Sequence, residues 1–188
     1  MPTRSDQILR AAAVLFAQRG YGATSIDDIG AAAGVSGPAI YWHFKGKQAL
    51  LAAMLTAVSE QLLAGGRAAV AAAPDDDAAL DALVRMQVTF ALDHPDLIVV
   101  HARELHHLDA EQAHQVRALQ RQYVDEWVSV MQRRHRRVGR PRLVAAVQAA
   151  IGLVNSTPYV GGTSRRTLAP LLHDMALAAL GAVSTSGS

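Results

Sequence analysis

The 188 residues suffice for one domain, or for a small domain fused to a larger one, and an apolar content of 51% excludes disorder as the main state. The absence of cysteine excludes disulfide scaffolds, thiolate zinc sites and cysteine nucleophiles. Aromatics at 5% and alanine as the commonest residue favour helices over sheets, and a net charge of +2 is too small for a protein that holds nucleic acid by counterion release alone.

Residues 5–19 predict a first helix: Ile8, Ala12, Leu15 and Phe16 recur at helical spacing, Asp6 lies in the first turn, and Gly20 stops it. Thr24 or Ser25 offers a hydroxyl cap to a second helix, with Asp27 and Asp28 three residues on, and the helix runs to about Ala33. Gly34-Val35-Ser36 forms a tight turn, in which Gly34 supplies the left-handed position and Ser36 a fresh cap. A third helix, with Pro38 in its first turn, extends from Gly37 to about His43. The fourth begins near Lys47, carries Leu50, Leu51, Met54, Leu55, Val58 and Leu62, and is expected to end near Gly65-Gly66.

Pro74 and the three aspartates after it start a fifth helix, with Leu80, Leu83, Val84, Val88 and Leu92 on its apolar face. Residues 94–96 break the chain before a helix over 95–108. A long helix then runs from Ala110 to about Arg137, with Val116, Leu119, Tyr123, Trp127, Val130 and Met131 on one stripe. Helices over 142–155 and from Thr167 to about Ala182 complete the chain, joined by a loop over 156–166. Residues 184–188 are expected as a disordered tail. No strand pattern or internal repeat is present, no apolar stretch marks residues 1–10 as a secretory signal, and no uncharged apolar run reaches about 18 residues, so a cytoplasmic protein without a membrane partner is expected.

The second and third helices, joined by a short turn containing Gly, have the spacing of a helix-turn-helix, whose second helix enters a major groove while the first lies across the backbone. The third helix opens with small residues, Ser36, Gly37, Pro38 and Ala39, which let the backbone approach base edges and phosphates. It ends in four consecutive rings, Tyr41-Trp42-His43-Phe44. Ile40 and Phe44 share a face and should pack against Ile29 and Phe16, which turns Tyr41, Trp42 and His43 outward. Tyr and His can donate to phosphate oxygens, and an indole edge can touch a thymine methyl. The charge supports the same end of the chain: residues 1–50 hold five cations (Arg4, Arg10, Arg19, Lys45, Lys47) and three anions (Asp6, Asp27, Asp28), while the rest is neutral.

Residues 24–50, TSIDDIGAAAGVSGPAIYWHFKGKQAL, resemble the DNA-binding signature of the TetR family of bacterial repressors. Thr24, Ile29, Ala33, Gly34, Val35, Ser36, Tyr41, His43, Phe44, Lys47 and Leu50 stand in register with that pattern. Ile40 replaces Leu and Gly30 replaces Ala, both mild changes; Pro38 stands where Gly is usual, and Asp27 where many relatives carry Arg. The resemblance implies an all-α, TetR-like fold of about nine helices. A helix-turn-helix head over residues 1–48 would precede an effector-binding and dimerisation domain over 49–183. The implied function is a ligand-responsive repressor that binds a palindromic double-stranded operator as a homodimer through its last two helices, with no cofactor. Thr24, Ser25, Tyr41, His43 and Lys47 are expected to hold phosphates, and Ser36, Gly37, Pro38, Ala39 and Trp42 to approach bases. Residues 143–153 and 171–180, rich in small apolar side chains, suit a close helical seam.

The effector site is expected at Met86, Phe90, Tyr123, Trp127 and Asn155, an apolar lining with a few polar groups. The segment 103–131 resembles repressors of lipid and sterol breakdown, which implies a small hydrophobic or acyl-CoA-like effector whose phosphates would meet Arg103, Arg117 or Arg121. The alternative is a helical metal-binding protein or enzyme using His101, His106, His107 and His114, since Glu104–His107 and Glu111–His114 form two E-x-x-H tetrads. These are too close in sequence to face each other across a bundle, and no nucleophile–base pair is recognisable. The arginines from Arg133 to Arg142 read as a solvated helix end.

Overall fold

The computed structural model describes residues 3–183, and no strand occurs among them. Nine α-helices follow one another among the described residues: α1 (Arg4–Arg19), α2 (Ile26–Ala33), α3 (Gly37–Ile40), α4 (Lys47–Ala72), α5 (Asp76–Asp93), α6 (Pro95–Glu104), α7 (Ala110–Arg134), α8 (Arg140–Val154) and α9 (Arg165–Gly181). Short 3-10 turns follow α6 and α8, at Leu105–His107 and Thr157–Tyr159. The tail expected over 184–188 lies outside the described residues.

The helix ends follow from their caps. α1 begins at Arg4 because Thr3 caps it: the Thr3 hydroxyl accepts from Asp6 N at 3.1 Å and the Asp6 carboxylate accepts from Thr3 N at 2.8 Å. α5 is capped by Asp75, whose carboxylate accepts from Ala78 N at 2.8 Å. α7 stops at Arg134, three residues before the expected end. There Gln132 Nε2 donates to Val138 O at 3.2 Å, and Val138 folds inward. The arginines around this helix end are exposed, as expected, and three of them are also ion-paired: Arg133 with Asp76, Arg134 with Asp77 and Arg140 with Asp125.

The chain divides into two compact units. The first comprises Met1–Ser59 and Asp96–Arg117, so it takes in α1–α3, the first half of α4, nearly all of α6 and the start of α7. Ile8, Phe16, Ile29, Ile40, Leu50, Leu51, Leu55, Val100 and Val116 form its core, each almost wholly excluded from water. The second comprises Glu60–Pro95 and Ala118–Ser188. In it α9 packs on α5 and α8, with Leu83, Trp127, Met131, Leu143, Leu172 and Leu180 buried. By length and composition α4 could cross a bilayer, but half of its apolar stretch is buried in the protein, which is the pattern of a core helix.

The largest departure from expectation is α4, which runs through Gly65-Gly66 to Ala72. These glycines serve close approach. A β-carbon on Gly66 would lie 2.9 Å from Cε2 of the buried Tyr123 ring, and one on Gly65 would lie 2.7 Å from the Met86 sulfur. A thioether can swing aside, whereas a buried ring cannot. Gly66→Ala should therefore lose about 1 kcal/mol net, an overpacking cost of about 2 set against a helix-propensity gain of about 1. Gly65→Ala should be neutral or stabilising. Thermal denaturation of the two variants checks the contrast.

Candidate nucleic-acid interface

The helix-turn-helix is built outward from two anchors in the turn between α1 and α2. Thr24 is 1% exposed, and its hydroxyl donates to Gly20 O at 2.9 Å, satisfying a carbonyl at the end of α1. The Lys47 ammonium, at the start of α4, donates to Tyr21 O at 2.7 Å and Thr24 O at 2.8 Å and lies 4.4 Å from the Tyr21 ring centroid. The structure therefore places Thr24 in the core, away from the surface that a phosphate contact needs. It also commits the Lys47 ammonium to two carbonyls inside its own unit. The physical reason is the same for both: the turn leaves carbonyls facing inward, and each requires a donor.

Ser25 caps α2. Its hydroxyl accepts from Asp28 N at 3.0 Å, and the Asp28 carboxylate accepts from Ser25 N at 2.9 Å. These hydrogen bonds from the Ser25 side chain and backbone hold the Asp28 carboxyl below its ordinary value. Gly34 ends α2 in the left-handed conformation, at φ 67°. Gly30 is more than a mild change, because a β-carbon there would lie 2.8 Å from Val35 O, which is backbone.

α3 is four residues long, shorter than the expected 37–43. Tyr41 N, Trp42 N and His43 N bond to carbonyls three residues back, on Pro38, Ala39 and Ile40, so the chain tightens into a turn after Ile40. Ile40 and Phe44 pack into the core with Ile29 and Phe16, as their spacing predicts. Tyr41 is 60% exposed and Trp42 is 87% exposed, and His43 is exposed beside them. Ser36 and Pro38 are exposed, and Gly37 and Ala39 half-buried, at the leading edge of α3. The Ser36 hydroxyl makes no cap hydrogen bond.

The histidine segment closes the other side of this unit. Glu104 is buried and meets His107 Nε2 at 3.3 Å, and the His107 ring stacks on Tyr21 with centroids 4.4 Å apart. Gln48 Nε2 donates to His107 O at 3.2 Å. Of the two E-x-x-H tetrads, the first is thus a structural pair, and Glu111 and His114 of the second are exposed. No group of three or more His, Asp or Glu able to hold a metal occurs among the described residues. Tyr21 has no role assigned from the sequence, and Glu104 is read there only as part of an E-x-x-H tetrad. The signal for Glu104 was its place on the inner face of α6, four residues after the buried Val100.

In the second unit, the expected effector residues gather around a polar chain. Tyr123 OH donates to Gln87 Oε1 at 2.8 Å, and Gln87 Nε2 donates to Asn155 Oδ1 at 2.8 Å. Trp127 is 1% exposed and meets the Tyr123 ring edge-on at 6.1 Å, and its indole N–H has no acceptor among the described residues. Burial pushes the Tyr123 phenol well above its ordinary range. Met86 and Phe90 are half-buried on α5. Gln87, at the centre of the chain, was absent from the sequence reading, although its position four residues after Leu83 marks it as a polar residue on an apolar stripe. Arg103 belongs to the first unit and is exposed on α6; Arg117 and Arg121 are also exposed.

Lys47→Met should lose about 2–3 kcal/mol, because two carbonyls lose a charged donor in a half-buried site. Denaturant unfolding followed by circular dichroism measures the loss. A loss below about 0.5 kcal/mol would show that water replaces the ammonium without cost.

Residues 8–54 match the bacterial regulatory proteins of the tetR family, and residues 73–180 match the tetracyclin repressor-like C-terminal domain. The HTH-type transcriptional repressor KstR2 of Rhodococcus jostii is 30% identical over 130 residues, 69% of this chain and 64% of the relative. The HTH-type transcriptional activator FasR of Mycolicibacterium smegmatis is 40% identical over 81 residues, 43% of this chain and 37% of the relative. The chain thus matches just under two thirds of the first relative's length and about a third of the second's. Among solved structures, a TetR-family transcriptional regulator from Bordetella parapertussis superposes with a TM-score of 0.82 at 24% identity, covering 99% of this chain and 100% of that one. The structure of AibR in complex with isovaleryl coenzyme A and operator DNA gives 0.77 at 20% identity, covering 92% and 97%. The C-terminal match alone spans more than half of the sequence, and together with the helix-turn-helix at residues 8–54 it establishes that the chain belongs to the TetR family of bacterial regulatory proteins.

Proposed function

We propose that this protein is a ligand-responsive transcriptional repressor that binds a palindromic operator as a homodimer in the cytoplasm. One observation carries the reading: Tyr41, Trp42 and His43 are exposed together at the end of a helix-turn-helix whose Ile29, Ile40 and Phe44 are buried. Solvent-facing rings at this density are costly in a free surface and useful against nucleic acid. Residues 1–48 act as the head. Tyr41 and His43 donate to phosphates, while Ser36, Gly37, Pro38, Ala39 and Trp42 meet base edges; Ser25, expected among the phosphate contacts, has both its hydroxyl and its amide proton committed to the Asp28 carboxylate. Thr24 and Lys47 hold the turn from behind. The reading requires no catalytic step.

Residues 49–183 serve the effector and the dimer. Leu171 and Met175 on α9 are about half exposed, and Gly152 on α8 and Ala178 on α9 leave room for a second copy to approach closely. Support for a small hydrophobic or acyl-CoA-like effector comes from the AibR structure, which contains isovaleryl coenzyme A, and from the buried Tyr123–Gln87–Asn155 chain beside the unpartnered Trp127 indole.

A labelled-fragment shift assay on DNA flanking the gene tests the first part. Tyr41→Phe should weaken binding several-fold and equally on all sequences, as loss of a phosphate contact does, while Trp42→Ala should change the ranking of sequences. No sequence-selective shift at moderate salt would sink the reading. For the effector, Trp42→Phe leaves Trp127 as the sole tryptophan. Isovaleryl coenzyme A should then shift Trp127 emission in that variant and release the DNA from the protein that keeps Trp42, and Gln87→Leu should blunt both effects. Release of the DNA with Trp127 emission unmoved would place the effector elsewhere.

A further inference from the structure

We infer that Asp27 selects cytosine at one position of each operator half-site. The inference rests on the DNA-binding reading above and extends it to the chemistry of base choice. Asp27 lies in the first turn of α2, exposed, and its carboxylate rests on the opening residue of α3. A β-carbon built on Gly37 would be 1.9 Å from Asp27 Oδ1 and 3.2 Å from Asp27 Cγ. The neighbouring Asp28 is engaged by Ser25 and lies 3.9 Å from Arg19, but Asp27 has no cation and no hydrogen-bond donor among the described residues. A bare carboxylate is therefore held at the leading edge of the helix that faces DNA.

The residues around it decide what it can do there. Gly37, Pro38 and Ala39 carry no side-chain donor or acceptor, and Ser36 brings one free hydroxyl. The front of α3 therefore has no Arg, Lys, Asn or Gln to read guanine or adenine in bidentate fashion. A carboxylate repels phosphates, so its favourable partner in the major groove is an amino group. Adenine presents its N6 amino group beside the N7 acceptor, which repels a carboxylate, whereas cytosine presents N4 beside a C–H. The absence of a side chain on Gly37 leaves the space in which the carboxylate lies against the helix. Gly37 is thus a positioning residue for Asp27.

Selection from randomised double-stranded oligonucleotides, followed by competition binding, tests this. The wild-type protein should select a C·G pair at one symmetric position, and T·A there should cost about tenfold in affinity. Asp27→Ala should bind all sequences more tightly, because one anion per head is removed, and should lose the cytosine preference. Asp27→Asn should turn the preference towards adenine. Gly37→Ala, which displaces the carboxylate while keeping its charge, should relax the preference without the gain in overall affinity. An Asp27→Ala protein that still selects the same cytosine overturns the inference. A wild-type protein that selects no sequence at all overturns the DNA-binding reading itself, a distinguishable result. Unchanged circular dichroism and melting temperature establish that the variants fold.

Discussion

The Lys47 ammonium closes the helix-turn-helix unit from within. It reaches back from the first residue of α4 to two carbonyls of the α1–α2 turn and lies against the Tyr21 ring at the same time. The angle between α1 and α2 depends on that turn, and the placement of α3 depends on α2. Tyr21 transmits the contact further: its other neighbours are Phe16 in the core, with centroids 5.4 Å apart, and His107, stacked at 4.4 Å. His107 is in turn met by the buried Glu104. A charge, a ring, an imidazole and a carboxylate thus join the start of α4 to the end of α6 inside one compact unit. Each covers a polar group that would otherwise face the core unpaired.

The exposed rings follow from the same economy. α3 contributes only Ile40 and, one turn on, Phe44 to the core. Two apolar side chains four residues apart use up its inward face, so Tyr41, Trp42 and His43 have nowhere to go but out. After Ile40 three amides in succession bond three residues back, which ends the regular helix at the rings. The short helix, its apolar pair and its outward rings are one structural solution.

The second unit shows the opposite arrangement, with polar groups drawn inward. Gln87 accepts from Tyr123 and donates to Asn155, which ties α5 to α7 and α8 through two bonds of 2.8 Å. His173, on α9, adds a link to Asp81 on α5 at 2.8 Å. Tyr123 also explains the glycine in α4, since its ring fills the space that a side chain on Gly66 would need. A residue pair that looks like a helix stop in one dimension is a packing contact in three.

The sequence by itself determined the helical class, the order of the helices, the cap at Ser25 and the helix-turn-helix. These are local matters: alanine content, apolar spacing, a hydroxyl three residues before an acid, a glycine after the last turn. It also showed that Ile40 and Phe44 would pack inward and their neighbours outward, because a period of 3.6 leaves no other choice. Only the tertiary structure decided which polar residues were spent on the fold. Thr24 and Lys47 read as surface groups until carbonyls 4 and 23 to 26 residues away claimed them. Gln87 reads as an ordinary polar position, and Glu104 as a candidate metal ligand, until burial gives them partners, and Asp27 gained its setting only when α3 folded against it. Hydrogen-bond partners far apart in sequence are set by packing, and packing is a property of the whole chain.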